Sequence, residues 1–149
     1  MTCSPRRLRS SAIPPFYPVP GRERCDGWTA QRQADFIGHL AETRSVTAAA
    51  RRVQMARETA YRLRQRPWSE SFRAAWDAAL GKAPECPSER RKVTTAELQW
   101  RLDSGLWAIR MFRGKFVGAS QKPDDSALYS LLARYSRQPV PSRADARRT

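Results

Sequence analysis

The sequence predicts a mainly α protein: a bundle of three or four helices followed by a small lobe with one β-hairpin and two short helices. Three observations predict it. Between residues 29 and 81, apolar residues recur at helical spacing in four stretches, each bounded by a capping residue, a proline or a glycine. Further on, a period-two stretch, Leu106 to Phe112, meets Arg113-Gly114 and a second strand-like run, KFVGA. Proline-rich segments divide the chain into residues 1–25, 26–81, 82–93, 94–136 and 137–149.

Residues 1–25 read as a disordered basic tail. Pro14, Pro15, Pro18 and Pro20 block regular structure, and Arg6, Arg7, Arg9, Arg22 and Arg24 supply charge. Such a tail either keeps the chain soluble or acts as an arm that gathers phosphates. From Thr29 to about Thr43 the chain reads as a helix. Thr29 is its cap, Phe36, Ile37 and Leu40 are its stripe, and Trp28 can fold back onto the cap. This helix is the scaffold that buries the apolar side of the next two.

The next stretch, SVTAAARRVQMARETAYRLRQR, runs from Ser45 to Arg66. Ser45 can cap a short helix, Val46 to Val53, by accepting a bond from a first-turn amide. Gln54 and Met55 break the pattern. A second helix, residues 56–66, stops before Pro67, which disfavours helix in the preceding residue. Ala49, Val53, Met55, Ala60 and Leu63 can face one way, with Ala50 small at the crossing. Two helices of about 8 to 10 residues around a turn of about 3 to 4 match a helix-turn-helix.

On the opposite face of the second helix, Arg57, Glu58, Tyr61, Arg62 and Gln65 share one stripe, flanked by Arg51, Arg52, Arg64 and Arg66. Arg can pair in bidentate fashion with guanine and Gln with adenine, so these nine residues are the candidate DNA contacts. Glu58 and Arg62 stand at (i, i+4), where an ion pair can orient the guanidinium. Two features depart from the usual pattern. Gln54 stands where the turn commonly has glycine, and Ala56 stands where the second helix commonly has a Ser or Thr cap.

After Pro67, a helix begins at Ser69 or Glu70 and ends at Gly81, with Phe72, Ala75, Trp76 and Ala79 on its core face. Pro84 and Pro87 mark a linker, 82–93. Thr94 and Glu97 form a capping box ahead of Leu98, Trp100, Leu102 and a terminating Gly105. The hairpin carries Trp107, Ile109, Met111 and Phe116. A final helix opens at Pro123-Asp124 with Leu128, Leu131, Leu132 and Tyr135 as its stripe, and the basic tail 137–149 is expected to be disordered. A hairpin and two short helices make a marginal core alone, so this lobe must pack on the first domain or on another subunit. The hairpin's apolar residues are the expected self-association surface, and a homo-oligomer is expected.

The formal net charge is +14 and the isoelectric point is about 11.1, which points to a polyanionic partner. No apolar run approaches the ~20 residues that span a membrane, and the amino terminus lacks the apolar stretch of a secretory signal. Cys3, Cys25 and Cys86 are too far apart to suggest a metal pair and too few for a disulfide framework, which favours a reducing compartment. His39 is the only histidine. With no phosphate-binding glycine loop, HExxH or CxxC, the sequence gives no reason to expect catalytic residues, metal, cofactor or enzyme activity. Asp124-Asp125 reads as a helix start.

The block from Asp26 to Leu80, with its TAAAR helix and FRAAW-type helix, resembles small bacterial helix-turn-helix proteins and the amino-terminal domain of phage terminase small subunits. The tract FRGKFVGASQKPDDSALYSLLAR resembles the hairpin and closing helix downstream in the same group. The resemblance implies a cytoplasmic protein, nucleoid-associated while bound to double-stranded DNA. It also implies one of two roles: a transcriptional regulator working with the transcription machinery, or a packaging adaptor forming a ring that recruits a large terminase subunit. A binder without sequence preference, held mainly by its tails, is the third reading.

Overall fold

Thr29 starts the element on which the rest is built. The computed structural model describes residues 13–21, 24–82 and 91–138. Residues 1–12, 22 and 23 of the expected amino-terminal tail, the middle of the linker (83–90) and the carboxy-terminal tail from 139 lie outside the described residues. The elements run α1 (Ala30–Thr43), α2 (Val46–Arg52), α3 (Arg57–Arg64), α4 (Glu70–Ala79), α5 (Thr95–Ser104), β1 (Leu106–Phe112), β2 (Lys115–Lys122) and α6 (Asp125–Ser136). Among the described residues the protein is mainly helical, with one two-stranded antiparallel sheet. No helix there is long and apolar enough to cross a membrane.

The Thr29 hydroxyl accepts the Arg32 amide at 3.2 Å, which caps α1. Trp28 stands edge-on to Phe36 at 5.5 Å, holding the entry to the helix. Phe36, Ile37 and Leu40 are buried as their spacing predicts. The α4 face meets them: the Trp76 ring lies 4.9 Å from that of Phe36, and Phe72 stacks at 6.5 Å. These aromatic pairs and the small Ala49, Ala50, Ala60 and Ala75 make one core.

The expected disorder through residue 25 does not hold for residues 13–21. Phe16 and Val19 are 0 % and 1 % exposed. Phe16 exchanges both backbone hydrogen bonds with Trp107, at 3.0 and 2.9 Å, and its ring meets Phe72 edge-on at 5.7 Å. The buried Gln33 side chain completes the seal: its Oε1 accepts the Val19 amide at 2.7 Å and its Nε2 donates to the Val19 carbonyl at 3.0 Å. Prolines exclude helix and central strand, but an extended strap needs neither. Prolines also leave the unfolded chain less freedom to lose on docking.

Arg113 and Gly114 turn the hairpin with φ of 50° and 76°, the two positive values that a type I′ turn requires. The pairing shifts by one residue between Arg110 and Met111, and the second strand runs on to Lys122, past the expected Ala119. Trp107, Ile109 and Ala119 pack on the first core. The Phe116 ring lies where a Cβ on Gly38 would stand, so only glycine lets the hairpin approach α1 this closely. The hairpin face expected to mediate self-association is therefore covered from within the chain.

A second, smaller cluster of Leu98, Ala127 and Leu131 joins α5 to α6. The Thr94 hydroxyl accepts the Glu97 amide at 3.2 Å. The Glu97 carboxylate, 2 % exposed, does not close the capping box; Arg91 and Arg101 hold it at 2.8 Å each. The strap ties this pair of helices to the rest. Trp100 Nε1 donates to the Pro18 carbonyl at 2.9 Å, and the Tyr17 hydroxyl donates to Asp124 at 2.6 Å. Burial, and then the Asp124 carboxylate, push the Tyr17 hydroxyl up to about 12, so it stays a donor. The stripe expected on α6 is divided: Leu131 is buried, while Leu128, Leu132 and Tyr135 face solvent.

Candidate nucleic-acid interface

The geometry of α2 and α3 is set by the connection between them. The Ser45 hydroxyl accepts the Ala48 amide at 3.4 Å and caps α2. At the other end, the Met55 amide donates to the Ala50 carbonyl at 2.9 Å and the Gln54 amide to that of Arg51 at 3.1 Å. This is a Schellman closure, with Gln54 at φ 59° in the left-handed position that glycine usually takes. α3 spans Arg57–Arg64 rather than the expected 56–66: Ala56 is its N-cap, without a side-chain bond as expected, and Gln65 is its C-cap. The Thr59 hydroxyl donates to the Ala56 carbonyl at 2.6 Å.

Ala60 and Leu63 turn α3 inward, and Ala49, Ala50 and Val53 do the same for α2 and its exit. The remaining face points out. Arg57, Glu58, Tyr61, Arg62, Gln65 and Arg66 are exposed, as are Arg51 and Arg52. Arg51 and Arg62 have no carboxylate within ion-pair distance among the described residues.

Two expectations about this face need correction. Glu58 meets Arg57 at 3.5 Å rather than Arg62. Exposed pairs differ by only a few tenths of a kcal/mol, so a neighbour in reach can displace the (i, i+4) partner. The larger correction concerns Arg64, which is not an outward cation. Its Nη1 lies 3.0 Å from Asp77 Oδ1, and its Nη2 donates to Oδ2 at 3.2 Å. The guanidinium sits 5.3 Å from the centre of the Trp76 ring. One residue beyond the buried Leu63, Arg64 stands at the edge of the inward face, where α4 supplies a carboxylate and a ring. The Ser69 hydroxyl also donates to the Arg64 carbonyl at 2.8 Å, fixing the exit from α3. Tyr61 lies on the same border, its ring 5.5 Å from Trp76.

Arg52 and Arg66 are outward but partly engaged. Arg66 reaches the Pro20 carbonyl of the strap at 3.5 Å. Arg52 Nη1 lies 3.2 Å from Glu42 and 3.4 Å from His39 Nδ1. The Phe116 amide donates to the same Glu42 carboxylate at 3.2 Å, and the Phe116 ring stands edge-on to His39 at 5.2 Å. Burial, and then the Arg52 guanidinium, hold the His39 imidazole below its usual value. The Phe116 amide, and then Arg52, hold the Glu42 carboxyl low.

Sequence reasoning passed over this cluster because its members come from α1, α2 and the hairpin. The only local signal was the basic turn Arg113-Gly114-Lys115. A cavity of about 510 Å³ opens between the strap, the start of α1 and α5, lined by Val19, Trp28, Gln33, Trp100 and Asp103 among others; no residue of α2 or α3 borders it. Comparison with known protein families, with curated proteins and with solved structures finds no match.

Proposed function

We propose that α2, the turn and α3 form a helix-turn-helix, and that the protein is a cytoplasmic transcriptional regulator reading duplex DNA with α3. One observation carries the reading. α3 buries Ala60 and Leu63 and presents Arg57, Tyr61 and Arg62 on an outward face, with Gln65 exposed at its C-cap. In a major groove, Arg57 and Arg62 can reach guanine edges and Gln65 an adenine, while Arg51, Arg52 and Arg66 flank them at phosphate positions. The net charge of +14 supplies the long-range attraction. Selection from a random duplex pool tests the reading. An enriched sequence is expected, with affinity falling steeply as salt rises. A flat salt dependence overturns DNA binding, and the absence of enrichment favours binding without sequence preference.

The second reading is a packaging adaptor of the terminase small-subunit type, an oligomer that recruits a motor subunit. The exposed Leu128, Leu132 and Tyr135 favour it, because (i, i+4, i+7) spacing on α6 makes an apolar strip that a second copy of the chain can cover. Light scattering separates the two: a dimer supports regulation, and a ring of many subunits supports packaging.

A further inference from the structure

The hairpin tip is strongly basic and held at a fixed place. From Leu106 to Lys122 the chain has no acidic residue, while Arg110, Arg113 and Lys115 gather at the turn end. All three are exposed, and none has a carboxylate partner among the described residues. Phe112, 63 % exposed, carries the Arg113 guanidinium at 5.2 Å from its ring centre, which keeps that cation at the tip.

Just past the tip, Phe116 anchors the hairpin to α1. The Glu42 carboxylate takes the Phe116 amide at 3.2 Å and Arg52 at 3.2 Å. Phe116 is also seated over Gly38 and against His39. Lys115 is the neighbour of Phe116, and Arg113 lies three residues before it, so the tip follows directly on the residue whose amide shares the Glu42 carboxylate with Arg52 of α2. Glu42, the acid at this junction, is already occupied by those two donors and leaves the tip cationic.

We infer that the hairpin tip is a second DNA-contacting element, in which Arg113 and Lys115 hold phosphates of the same duplex that α3 reads. The inference rests on α3 being the recognition helix. Two exposed cations without carboxylate partners, on a short I′ turn anchored at both strands, make a phosphate clamp at low entropic cost. They carry no base recognition, so their contribution is the same on every sequence.

The experiment compares Arg113→Asn/Lys115→Gln with Arg57→Ala/Arg62→Ala on the selected duplex and on scrambled DNA. Asn-Gly is the preferred I′ pair, so the hairpin variant loses charge without losing its turn, and an unchanged melting temperature verifies this. It is expected to weaken both duplexes equally and to make the salt slope shallower by about 1.8 units, roughly 0.9 for each phosphate no longer neutralised. Hydroxyl-radical footprinting is expected to show weaker protection at one edge of the site. If the hairpin variant binds with wild-type affinity and slope while Arg57→Ala/Arg62→Ala binds weakly, the clamp is overturned and the α3 reading stands. If Arg57→Ala/Arg62→Ala binds as the wild type does, the α3 reading falls, and the clamp as its second element falls with it.

Discussion

Arg64 and Asp77 face each other across the junction of α3 and α4, with two nitrogen–oxygen contacts of 3.0 and 3.2 Å beside the Trp76 ring. The pair removes one arginine from the outward face and uses it to set the angle of α3 against α4. Replacing it separates stability from recognition. Arg64→Ala strands the Asp77 carboxylate, only 11 % exposed, and should cost about 1–3 kcal/mol in urea unfolding. Arg62→Ala should change stability by less than about 0.5 kcal/mol. It should instead cost about 1–3 kcal/mol of binding on the selected duplex and much less on scrambled DNA.

The strain at Gln54 can be relieved. At φ 59° a side chain meets its own backbone, and glycine does not. Gln54→Gly should raise stability by about 0.5–1 kcal/mol, because relief of strain outweighs the extra freedom of the unfolded chain. Gln54→Val, with a branched Cβ, should lower it. Thermal melting of the three proteins decides the order.

Ile109 and Leu132 should respond differently to the same change. Ile109 packs on the main core, so Ile109→Glu buries a charge against apolar surface and should destabilise the fold by about 2–4 kcal/mol. Leu132 is exposed on α6, so Leu132→Glu should leave the melting temperature unchanged. If α6 is the contact between copies, Leu132→Glu should also shift light scattering toward monomer. Were Ile109→Glu instead a stable monomer, the hairpin face would be an interface after all.

Acid should loosen the junction of α1, α2 and the hairpin. His39 titrates below its ordinary 6.5 and Glu42 below its ordinary 4.5. For both groups the unfolded chain binds protons first as the pH falls. Their contribution is therefore fully present above those ordinary values and is lost on acidification, first below about 6.5 and then below about 4.5. Melting temperature measured from pH 7.5 to 5.5 should fall, and His39→Gln should flatten that part of the curve.

Local chemistry made the helical elements legible. Thr29, Ser45 and Thr94 cap the helices they were expected to cap, and the Arg113-Gly114 turn closes the hairpin. The outward stripe on α3 was also legible, since 3.6 residues per turn and a few buried alanines and leucines decide which way a helix faces. Where Arg64 goes was not, because its partners Asp77 and Trp76 sit on another helix.

By itself, then, the sequence determined the order of the helices, their caps, the hairpin turn and the cationic face, all of which depend on residues within a few positions of one another. Tertiary structure alone decided three things. Residues 13–21 became a buried strap because Gln33, Phe72 and Trp107, distant in sequence, supply its hydrogen bonds and apolar contacts. The hairpin joined the main core because Gly38 leaves room for Phe116. The α6 stripe was divided because α5 is close enough to cover Leu131 while Leu128 and Leu132 remain in solvent. Each outcome depends on which surfaces meet across long chain separations, and periodicity and composition carry no information about that meeting.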